Sequence, residues 1–422
     1  MNTQKKVIVG YDLCDDYSQV CCYSYKLNEP VLIGPREYEK EEEYRIPTVL
    51  CMKNETKQWL YGEEAIHCAK MQEGYLVEHI LDKAYNRDEI EIQQQKISGI
   101  TLLEKFFRKS LTLVKTHFPT DPITKLVVSI KNTDPNHVNI IYEALSSLGL
   151  EKDRVVILNH AGAFLYYALS QDSALWRNDV GLFDYSREGL YYYQASINRR
   201  VKPMVVDLKK TNYSTHLNYE MRNQKKENLA YIFENTANTA LYKQIVSTLY
   251  ITGEGFEGDW AEAAIKNLCV GRRVFYGQNL YSKGACYAAK ELSGDQVLGE
   301  MVLLNEDMIK NSVLLRVYKD AKFAEVPLAE AGEVWYDINR CLEVIPEGNA
   351  ELEIILKNIV TKESVRERVL LQQLPQRPDR MTRLSIHLQC PDKSTGIITV
   401  TDLGFGELYQ GTGRILEFAV GV

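Results

Sequence analysis

Apolar residues near the start of the chain alternate or run together as β-strands require. VIVGYDL at 7–13 and QVCCYSY at 19–25 predict two strands joined by a DDYS turn, and IPTVLCM at 46–52 predicts a third strand. Between 102 and 118 the apolar residues follow helical spacing and lie largely on one side of a helix. We therefore expect an opening antiparallel meander with this helix packed on it.

The pattern then changes to strands that alternate with a helix. KLVVSI at 125–130 and VVIL at 155–158 are short apolar runs typical of buried strands. Between them, Asp134 is a candidate N-cap before Pro135, and Gly149 ends the helical pattern. This β-α-β order indicates an α/β domain.

A second set of segments repeats this plan. VGLFDYS at 180–186, GLYYYQASI at 189–197 and RVKPMVVDL at 200–208 predict another strand meander. A helical region follows near 225–248, and TLYITG at 248–253 predicts the next strand. Two such halves in one chain predict a duplicated architecture with a cleft between them.

From about residue 295 the sequence consists of strand-like segments separated by turn residues, which indicates an all-β module. The segments are SVLLRVY, EVWYDI, AELEIIL, RLSIHLQC and GIITVTDL. MVLLNED at 301–307 stands at the entrance of this module, either as its first strand or as a linker between domains. A helix is predicted just before it, at 281–292.

Composition narrows the class of protein. The 422 residues suit two or three domains, and the net charge of −7 argues against a general affinity for nucleic acid or anionic membranes. The sequence has no apolar run of membrane-spanning length, no leader and no CxxC pair among its nine cysteines. We expect a cytoplasmic protein with neither disulfides nor structural zinc, in which the acidic run at 37–44 is a solvated loop.

Seven segments, taken in order, follow the plan of a known family. They are DLCDDYS at 12–18, RIPTVL at 45–50, WLYGEEA at 59–65, the stretch 127–169, VGLFDYSREG at 180–189, LYITGEGFEG at 249–258 and the stretch 374–413. In this order they resemble the DnaK-type heat-shock chaperones, which are members of the actin-like ATPase superfamily. The resemblance extends over nearly the whole chain, with degenerate phosphate loops.

The resemblance implies an α/β fold in two parts. Residues 1–292 are expected to form a two-lobed actin-like (ribonuclease H-like) nucleotide-binding domain, with lobe I at about 1–178 and lobe II at about 179–292. The upper subdomain of lobe II, at about 209–247, is shorter than in the family. Residues 293–422 are expected to form a β-sandwich that resembles the chaperone substrate-binding domain without its helical lid.

DLCDDYS at 12–18, here called the first loop, resembles the family's first phosphate loop but keeps only one residue of the phosphate site. Asp12 is retained, whereas Cys14 replaces a glycine, and Asp15 and Asp16 replace two threonines. Small residues and hydroxyls bring backbone N–H groups close to phosphates, but two carboxylates place like charge beside them. We expect an acidic turn rather than a phosphate site.

The second loop keeps Asp184 and, at its end, Gly189. Bulkier residues replace the glycine run between them: Tyr185, Ser186, Arg187 and Glu188. These side chains are expected to fill the space that a triphosphate needs. Arg187 either neutralises an anion or pairs with Asp15 or Asp16 across the cleft.

His160 stands where the family has its acidic water-positioning residue. An imidazole either orients a water or caps and packs against the following helix. Asp12 and Asp184 would hold a metal ion only if a magnesium nucleotide binds. Lys70 and Lys83 are candidates for the family's magnesium-linked lysine by position alone.

The adenosine loop is the best preserved of the site segments. Gly253, Gly255 and Gly258 permit close approach of the backbone to a ribose or base, and Phe256 is a candidate aromatic face in place of the usual arginine. A tight strand-to-helix turn requires glycine as well. The short segment at 209–247 suggests that one wall of a nucleotide pocket is missing.

Three functions remain open from the sequence. The favoured one is a chaperone-like protein-binding or scaffold protein with a degenerate nucleotide domain, a pseudo-ATPase that binds a protein or extended peptide through the β-sandwich or the cleft. The first alternative is an active ATP-dependent chaperone whose rearranged site uses Asp12, His160 and Asp184. The second is an actin-like assembly protein. The resemblance implies Mg-ATP as a cofactor, but the loop residues disfavour it.

Overall fold

A computed structural model describes residues 6–35, 44–119, 121–223, 225–299, 301–348 and 351–422. Apart from Tyr44, the acidic run at 37–44 lies outside these residues. The fold is mixed α/β, as the hydrophobic pattern predicted. None of the helices described is long and apolar enough to cross a membrane.

The chain divides into two compact units. The first contains Met1–Ile197 and Leu208–Glu300, and the second contains Asn198–Asp207 and Met301–Val422. The short stretch Asn198–Asp207 thus groups with the later part of the chain, although the sequence placed it in lobe II.

The secondary structure up to residue 299 follows the predicted order. Its strands are β1 (Val7–Leu13), β2 (Tyr17–Ser24), β3 (Glu29–Ile33), β4 (Ile46–Pro47), β5 (Leu50–Lys53), β6 (Trp59–Tyr61), β7 (Gly74–Val77), β8 (Glu89–Ile92), β9 (Gln95–Ser98), β10 (Ile123–Ile130), β11 (Val155–Asn159), β12 (Asp179–Ser186), β13 (Gly189–Asn198), β14 (Met204–Asn212), β15 (Val246–Thr252) and β16 (Arg273–Tyr276). Its helices are α1 (Gly62–Lys70), α2 (Ile80–Tyr85), α3 (Gly99–Ser110), α4 (Thr112–His117), α5 (Pro135–Ser146), α6 (His160–Leu169), α7 (Lys226–Ala240), α8 (Glu262–Leu268) and α9 (Leu280–Leu292).

Two sheets of the first unit share one topology. In the first sheet, β1 pairs antiparallel with β2 and parallel with β10, which pairs parallel with β11. In the second, β12 pairs antiparallel with β13 and parallel with β15, which pairs parallel with β16. The strand orders are β11-β10-β1-β2-β3 and β16-β15-β12-β13-β14. The repeat predicted from the sequence is present at the level of strand order.

Helix α9 follows the second sheet along the chain but packs against β1, β10 and α6. Two glycines permit this approach. A Cβ on Gly10 would lie 2.3 Å from the backbone nitrogen of Cys286, and one on Gly284 would lie 2.0 Å from the carbonyl oxygen of Ala163. Because a side chain at either position would collide with backbone, these glycines fix how closely α9 lies against the first sheet.

Two local predictions about helices and strands need correction. The helix predicted at 102–118 is divided into α3 and α4 at Leu111, and the Ser110 hydroxyl bonds back to the carbonyl of Phe106 at this point. EVWYDI, predicted as a strand, contains instead a 3₁₀ turn at Trp335–Asp337. Gly332, at φ +96°, turns the chain just before it.

The second unit is all-β, as predicted. Its strands after residue 300 are β17 (Met301–Leu304), β18 (Asn311–Lys319), β19 (Lys322–Ala329), β20 (Asn339–Val344), β21 (Glu351–Asn358), β22 (Ser364–Leu370), β23 (Arg383–Gln389), β24 (Thr395–Phe405), β25 (Tyr409–Gln410) and β26 (Ile415–Gly421). MVLLNED thus begins with a strand, β17, which pairs parallel with the β14 residues Met204–Asp207.

Two antiparallel sheets of this unit pack around one core. Their orders are β19-β18-β21-β22 and β20-β23-β24-β25, with β26 also paired to β24. Leu315 and Ile354 from the first sheet and Ile386 and Val400 from the second belong to the same buried cluster. Beside this core, Arg377 donates two hydrogen bonds to the buried carboxylate of Asp402, at 2.7 and 2.8 Å, and holds its pKa well below the usual range.

Candidate functional site

The cavity at the ends of β1 and β12 lies within the first unit and has a free volume of ≈ 90 Å³. Pockets that bind small-molecule ligands usually measure about 300–1,000 Å³. Both signs of charge line this cavity. The charged lining residues are Asp12, Asp16, Arg45, Lys131, Asp184, Glu188, Lys210 and Glu254.

Asp12 lies at the end of β1 with 8% of its surface exposed. Its Oδ1 accepts hydrogen bonds from the Ser129 hydroxyl and from His160 Nε2, each at 2.8 Å. His160 is the first residue of α6, and the Asn159 side chain caps this helix by accepting the Gly162 backbone N–H at 2.7 Å. The cap fixes the helix start and thereby aims the imidazole at Asp12.

Cys14 stands beside this pair. Its Sγ is 3.8 Å from His160 Nε2, and its carbonyl accepts a hydrogen bond from Thr48 Oγ1 at 2.7 Å. Burial raises the pKa of the Cys14 thiol well above its ordinary value, and the charge of Asp12 adds to this effect. The thiol is therefore protonated when only protein groups surround it.

The two other carboxylates of the first loop lie on different sides of it. Asp15 turns away from the cavity, where its carboxylate contacts His79 Nδ1 at 2.6 Å and the Leu81 backbone N–H at 3.3 Å. Asp16 lines the cavity, and its Oδ1 accepts the backbone N–H of Tyr17 at 2.9 Å. Thus one of the two added carboxylates lies where the resemblance would place phosphate.

Asp184 occupies the matching position at the end of β12. Its Oδ2 accepts a hydrogen bond from the Tyr281 hydroxyl at 2.5 Å. Burial raises the pKa of Asp184, while the hydrogen bond from Tyr281 and the nearby His160 and Lys131 act in the opposite direction. The Tyr281 ring also stacks on the His160 ring, with centroids 3.7 Å apart. One tyrosine from α9 therefore contacts both Asp184 and His160, the residue that is bonded to Asp12.

The rest of the second loop departs from the sequence expectation. Tyr185 does not fill the cavity, because strand alternation turns its ring into the core, where its hydroxyl donates to the Asn218 carbonyl at 2.7 Å. Ser186 and Glu188 do line the cavity. The predicted pairing of Arg187 with Asp15 or Asp16 is wrong, since its ion pair, at 3.8 Å, is with Glu254.

Gly189, at the end of this loop, lies very close to the backbone of Ser214. Gly189 has φ +103°, and a Cβ there would lie 2.4 Å from the Cβ of Ser214. The turn into β13 explains why a glycine stands at this position. Gly189 does not line the cavity.

The glycines of the predicted adenosine loop pack against Tyr185. A Cβ on Gly253 would lie 2.3 Å from the Tyr185 carbonyl oxygen, and one on Gly255 would lie 2.4 Å from its ring. Gly258, at φ +92°, has open space around it and serves a turn. Phe256 is 1% exposed and stacks on Trp260, so it offers no aromatic face to a base. Core packing and turns account for these glycines, and Gly253 also lines the cavity.

Lysine candidates named by position do not reach the cavity. The Lys83 ammonium donates to the Glu78 carbonyl, and Lys70 ends α1 with an exposed side chain. Lys131 lines the cavity instead and pairs with Glu188 at 3.4 Å. Burial disfavours its charge, but neighbouring acidic groups outweigh burial and raise the pKa of Lys131. The sequence feature that could have identified Lys131 is its position as a charged residue directly after the buried strand β10.

The residues of this cavity do not fit a magnesium nucleotide. Both candidate metal-binding carboxylates, Asp12 and Asp184, already accept hydrogen bonds from side chains within the protein. Asp16, Glu188 and Glu254 add negative charge to the lining of the cavity, and this charge would repel a phosphate group. The free volume is also well below that of ordinary ligand pockets.

Comparison with known proteins identifies a family without assigning an activity. No curated protein matches the chain. Residues 308–422 match a domain of unknown function, DUF8552. Residues 36–306, more than half of the chain, match the C-terminal model of a family of unknown function, DUF5716. The chain belongs to the DUF5716 family.

Proposed function

We propose that the chain is a chaperone-like protein-binding or scaffold protein, built on an actin- and DnaK-like fold whose cleft does not hydrolyse ATP. The second unit or the cleft binds a protein or an extended peptide. The single observation that carries the loss of hydrolysis is the contact of Tyr281 with both Asp184 and His160.

Strand order supports the fold part of this proposal. Both sheets of the first unit place their first hairpin in the middle and their parallel strands on one side of it. Asp12 and Asp184 occupy the same position in the two hairpins, each at the edge of the cavity. This is the arrangement that the resemblance to the actin-like superfamily implies.

The hydrogen bonds of the cavity support the loss of nucleotide chemistry. A phosphate-binding cleft presents donors that point into open space. Here the Tyr281 hydroxyl and His160 Nε2 are directed at the protein's own carboxylates. Displacing them exposes buried charge, so binding a nucleotide carries a cost before any phosphate contact forms.

Surface features of the second unit support protein binding. β22 is the terminal strand of its sheet, and Val365 and Leu370 on it are more than half exposed. At the tip of the β18–β19 hairpin, Tyr318 and Phe323 are 64% and 67% exposed and pack edge to face. Terminal strands accept an added strand, and exposed aromatic residues are enriched in interfaces.

The test is affinity purification of the full chain from its native cells, with quantification of bound proteins. We expect a specific partner that is lost when Tyr318 and Phe323 are both changed to Ser. The matched control is Tyr75→Ser, an exposed tyrosine of the first unit, which should retain the partner. Retention of the partner by the double variant would contradict binding through this hairpin.

Self-assembly is a second candidate, because exposed apolar residues lie on and near the terminal strand β16. Phe275 and Tyr276 on this strand are exposed, and so are Val270, shortly before it, and Ile245, directly before the neighbouring strand β15. Exposed apolar patches on terminal strands favour strand-to-strand association. Sedimentation of the purified chain should then show mass that grows with concentration and falls in Phe275→Lys.

A further inference from the structure

Three side chains of different chemistry converge at the end of β1. One carboxylate oxygen of Asp12, the Sγ of Cys14 and a ring nitrogen of His160 all lie within 4.8 Å of one another. Asp12 and Cys14 are close in sequence, but His160 lies 146 residues beyond Cys14, so no CxxC-like spacing indicates the cluster. Oxygen, sulfur and nitrogen donors in one cluster are the ligand types of a transition-metal site.

The distances approach those of a tetrahedral site. With metal bonds of about 2.3 Å to sulfur and about 2.0–2.1 Å to nitrogen, a tetrahedral angle places the two ligand atoms about 3.6 Å apart. The Sγ of Cys14 and Nε2 of His160 are 3.8 Å apart. Nε2 and Asp12 Oδ1, now hydrogen-bonded at 2.8 Å, would need to separate by about half an ångström. The ion takes the place of the Nε2 proton between them, and the ring stays neutral because it then carries its one proton on Nδ1 instead.

Charge favours a divalent ion that binds thiolate. An Asp12 carboxylate, a Cys14 thiolate and a neutral His160 ring together balance two positive charges. The thiolate disfavours Mg²⁺ and Ca²⁺, which prefer oxygen ligands, and suits Zn²⁺, Co²⁺ and Fe²⁺. On binding, the Cys14 thiol proton is released to solvent, and sulfur donates an electron pair to the metal without any change of oxidation state.

Surrounding contacts hold all three ligands in place. The Ser129 hydroxyl donates to Asp12, Thr48 holds the Cys14 carbonyl, and the Tyr281 ring stacks on His160. Such outer contacts orient metal ligands and are part of a built site. The adjoining cavity of ≈ 90 Å³ has room for a water as the fourth ligand.

We propose that Asp12, Cys14 and His160 bind one thiolate-preferring divalent transition-metal ion of the Zn²⁺ class, with the fourth position open to the cavity. This goes beyond the proposed function and does not depend on it. The proposed metal site requires neither a protein partner nor a bound nucleotide, and the proposed pseudo-ATPase does not require the metal.

The test is titration of the full chain with Co²⁺ after chelator treatment and its removal. We expect one equivalent of Co²⁺ to produce a thiolate-to-cobalt charge-transfer absorption, which Zn²⁺ then abolishes by displacement. Cys14→Ser should remove this absorption, and His160→Gln, which removes a ligand, should weaken Co²⁺ affinity by more than the roughly 10–100-fold that loss of an outer contact costs. Excess Mg²⁺ should leave the absorption unchanged.

Two controls separate this cluster from other sites. Cys269→Ser removes an exposed thiol and should leave the absorption intact. His79→Gln removes the ring of the exposed group Asp15, His79 and Asp82, which lacks a thiol, and should also leave it intact. The proposal is overturned if no charge-transfer band forms in the wild type, or if the band survives Cys14→Ser.

A measurement on the wild-type chain covers the case in which Cys14→Ser fails to fold. Peptide-resolved alkylation should show that Zn²⁺ slows modification of Cys14 and leaves that of the exposed Cys269 unchanged. Equal rates at Cys14 with Zn²⁺ and with chelator would overturn the proposal.

Discussion

The hairpins β1–β2 and β12–β13 have the same place in their sheets but satisfy their aspartates in different ways. Asp12 is bonded to Ser129 and His160, which lie on or next to strands of its own sheet. Asp184 is bonded to Tyr281, which α9 carries back across to the first sheet. The position of the Tyr281 donor to Asp184 therefore depends on the packing of α9, whereas the position of the His160 donor to Asp12 depends on the capped start of α6.

The largest effect is expected from removing the first aspartate. Asp12→Ala leaves His160 Nε2 buried without its acceptor and should lower the free energy of unfolding by about 3 kcal/mol. Chemical denaturation of the full chain in the presence of chelator measures this loss. The control is Asp15→Ala, whose partner His79 is largely exposed, with an expected loss of about 1 kcal/mol or less. Equal losses would contradict the special role of the first aspartate.

Displacing α9 should affect the second hairpin almost as strongly. Gly284→Ala places a methyl group against the Ala163 carbonyl and should cost about 2 kcal/mol or more, despite the better helix propensity of alanine. Denaturation and hydrogen exchange at α9 measure the effect. Gly277→Ala is the matched control, because its site has open space and ordinary φ, and it should change stability little. A tolerated Gly284→Ala would show that α9 does not need this close approach.

A smaller and pH-dependent effect is expected for the hydroxyl that Asp184 uses. Tyr281→Phe should cost about 2 kcal/mol at pH 7, because a buried carboxylate loses its donor. Burial already raises the pKa of Asp184, and loss of the donor raises it further. Protonated Asp184 does not need that donor, so the difference between the variant and the wild type should shrink as pH falls from 7 toward 4.

The readout for this prediction is the free energy of unfolding across that pH range. Tyr242→Phe, an exposed tyrosine, should show a change below about 0.5 kcal/mol at every pH. If the difference in the free energy of unfolding between Tyr281→Phe and the wild type grew as the pH fell, the prediction would be contradicted.

The smallest effects concern two cations, Lys131, which pairs with Glu188 of the second loop, and Arg187 of the same loop. Lys131 is two-thirds buried at its side chain and lies among Glu188, Asp16 and Asp184, so Lys131→Gln should cost about 1 kcal/mol, less at high salt. Arg187 is mostly exposed, and Arg187→Gln should cost less than about 0.5 kcal/mol. Thermal unfolding at two salt concentrations compares them. A larger loss for Arg187→Gln would reverse the roles assigned to the two cations.

The fold was predictable where it depends on local pattern. Apolar alternation gave the strands around Asp12 and Asp184, and Asp134 was correctly identified as the N-cap of α5, where its side chain accepts the Asn136 N–H. Strand order within each sheet was not readable from periodicity, because pairing between distant strands leaves no local signal.

The site was predictable only in part, because its key contacts are long-range. Tyr281 and Asp184 are 97 residues apart, and nothing in the helix pattern at 281–292 distinguished this tyrosine from a packing residue. Phe256 was misjudged for a related reason, since Phe233 of the distant helix α7 packs against its ring, together with the nearby Trp260. Charged residues flanking strands, such as Lys131, were a readable signal that the sequence interpretation did not use.

The most direct test of the proposed pseudo-ATPase is a calorimetric titration of the full chain with Mg-ATP, paired with a thermal-shift measurement at the same concentrations. We predict no saturable heat and no stabilisation, because Tyr281 and His160 occupy the carboxylates that magnesium would need. One-to-one binding that stabilises the wild type and is lost in Asp184→Ala would contradict the pseudo-ATPase and favour an active, rearranged ATPase site.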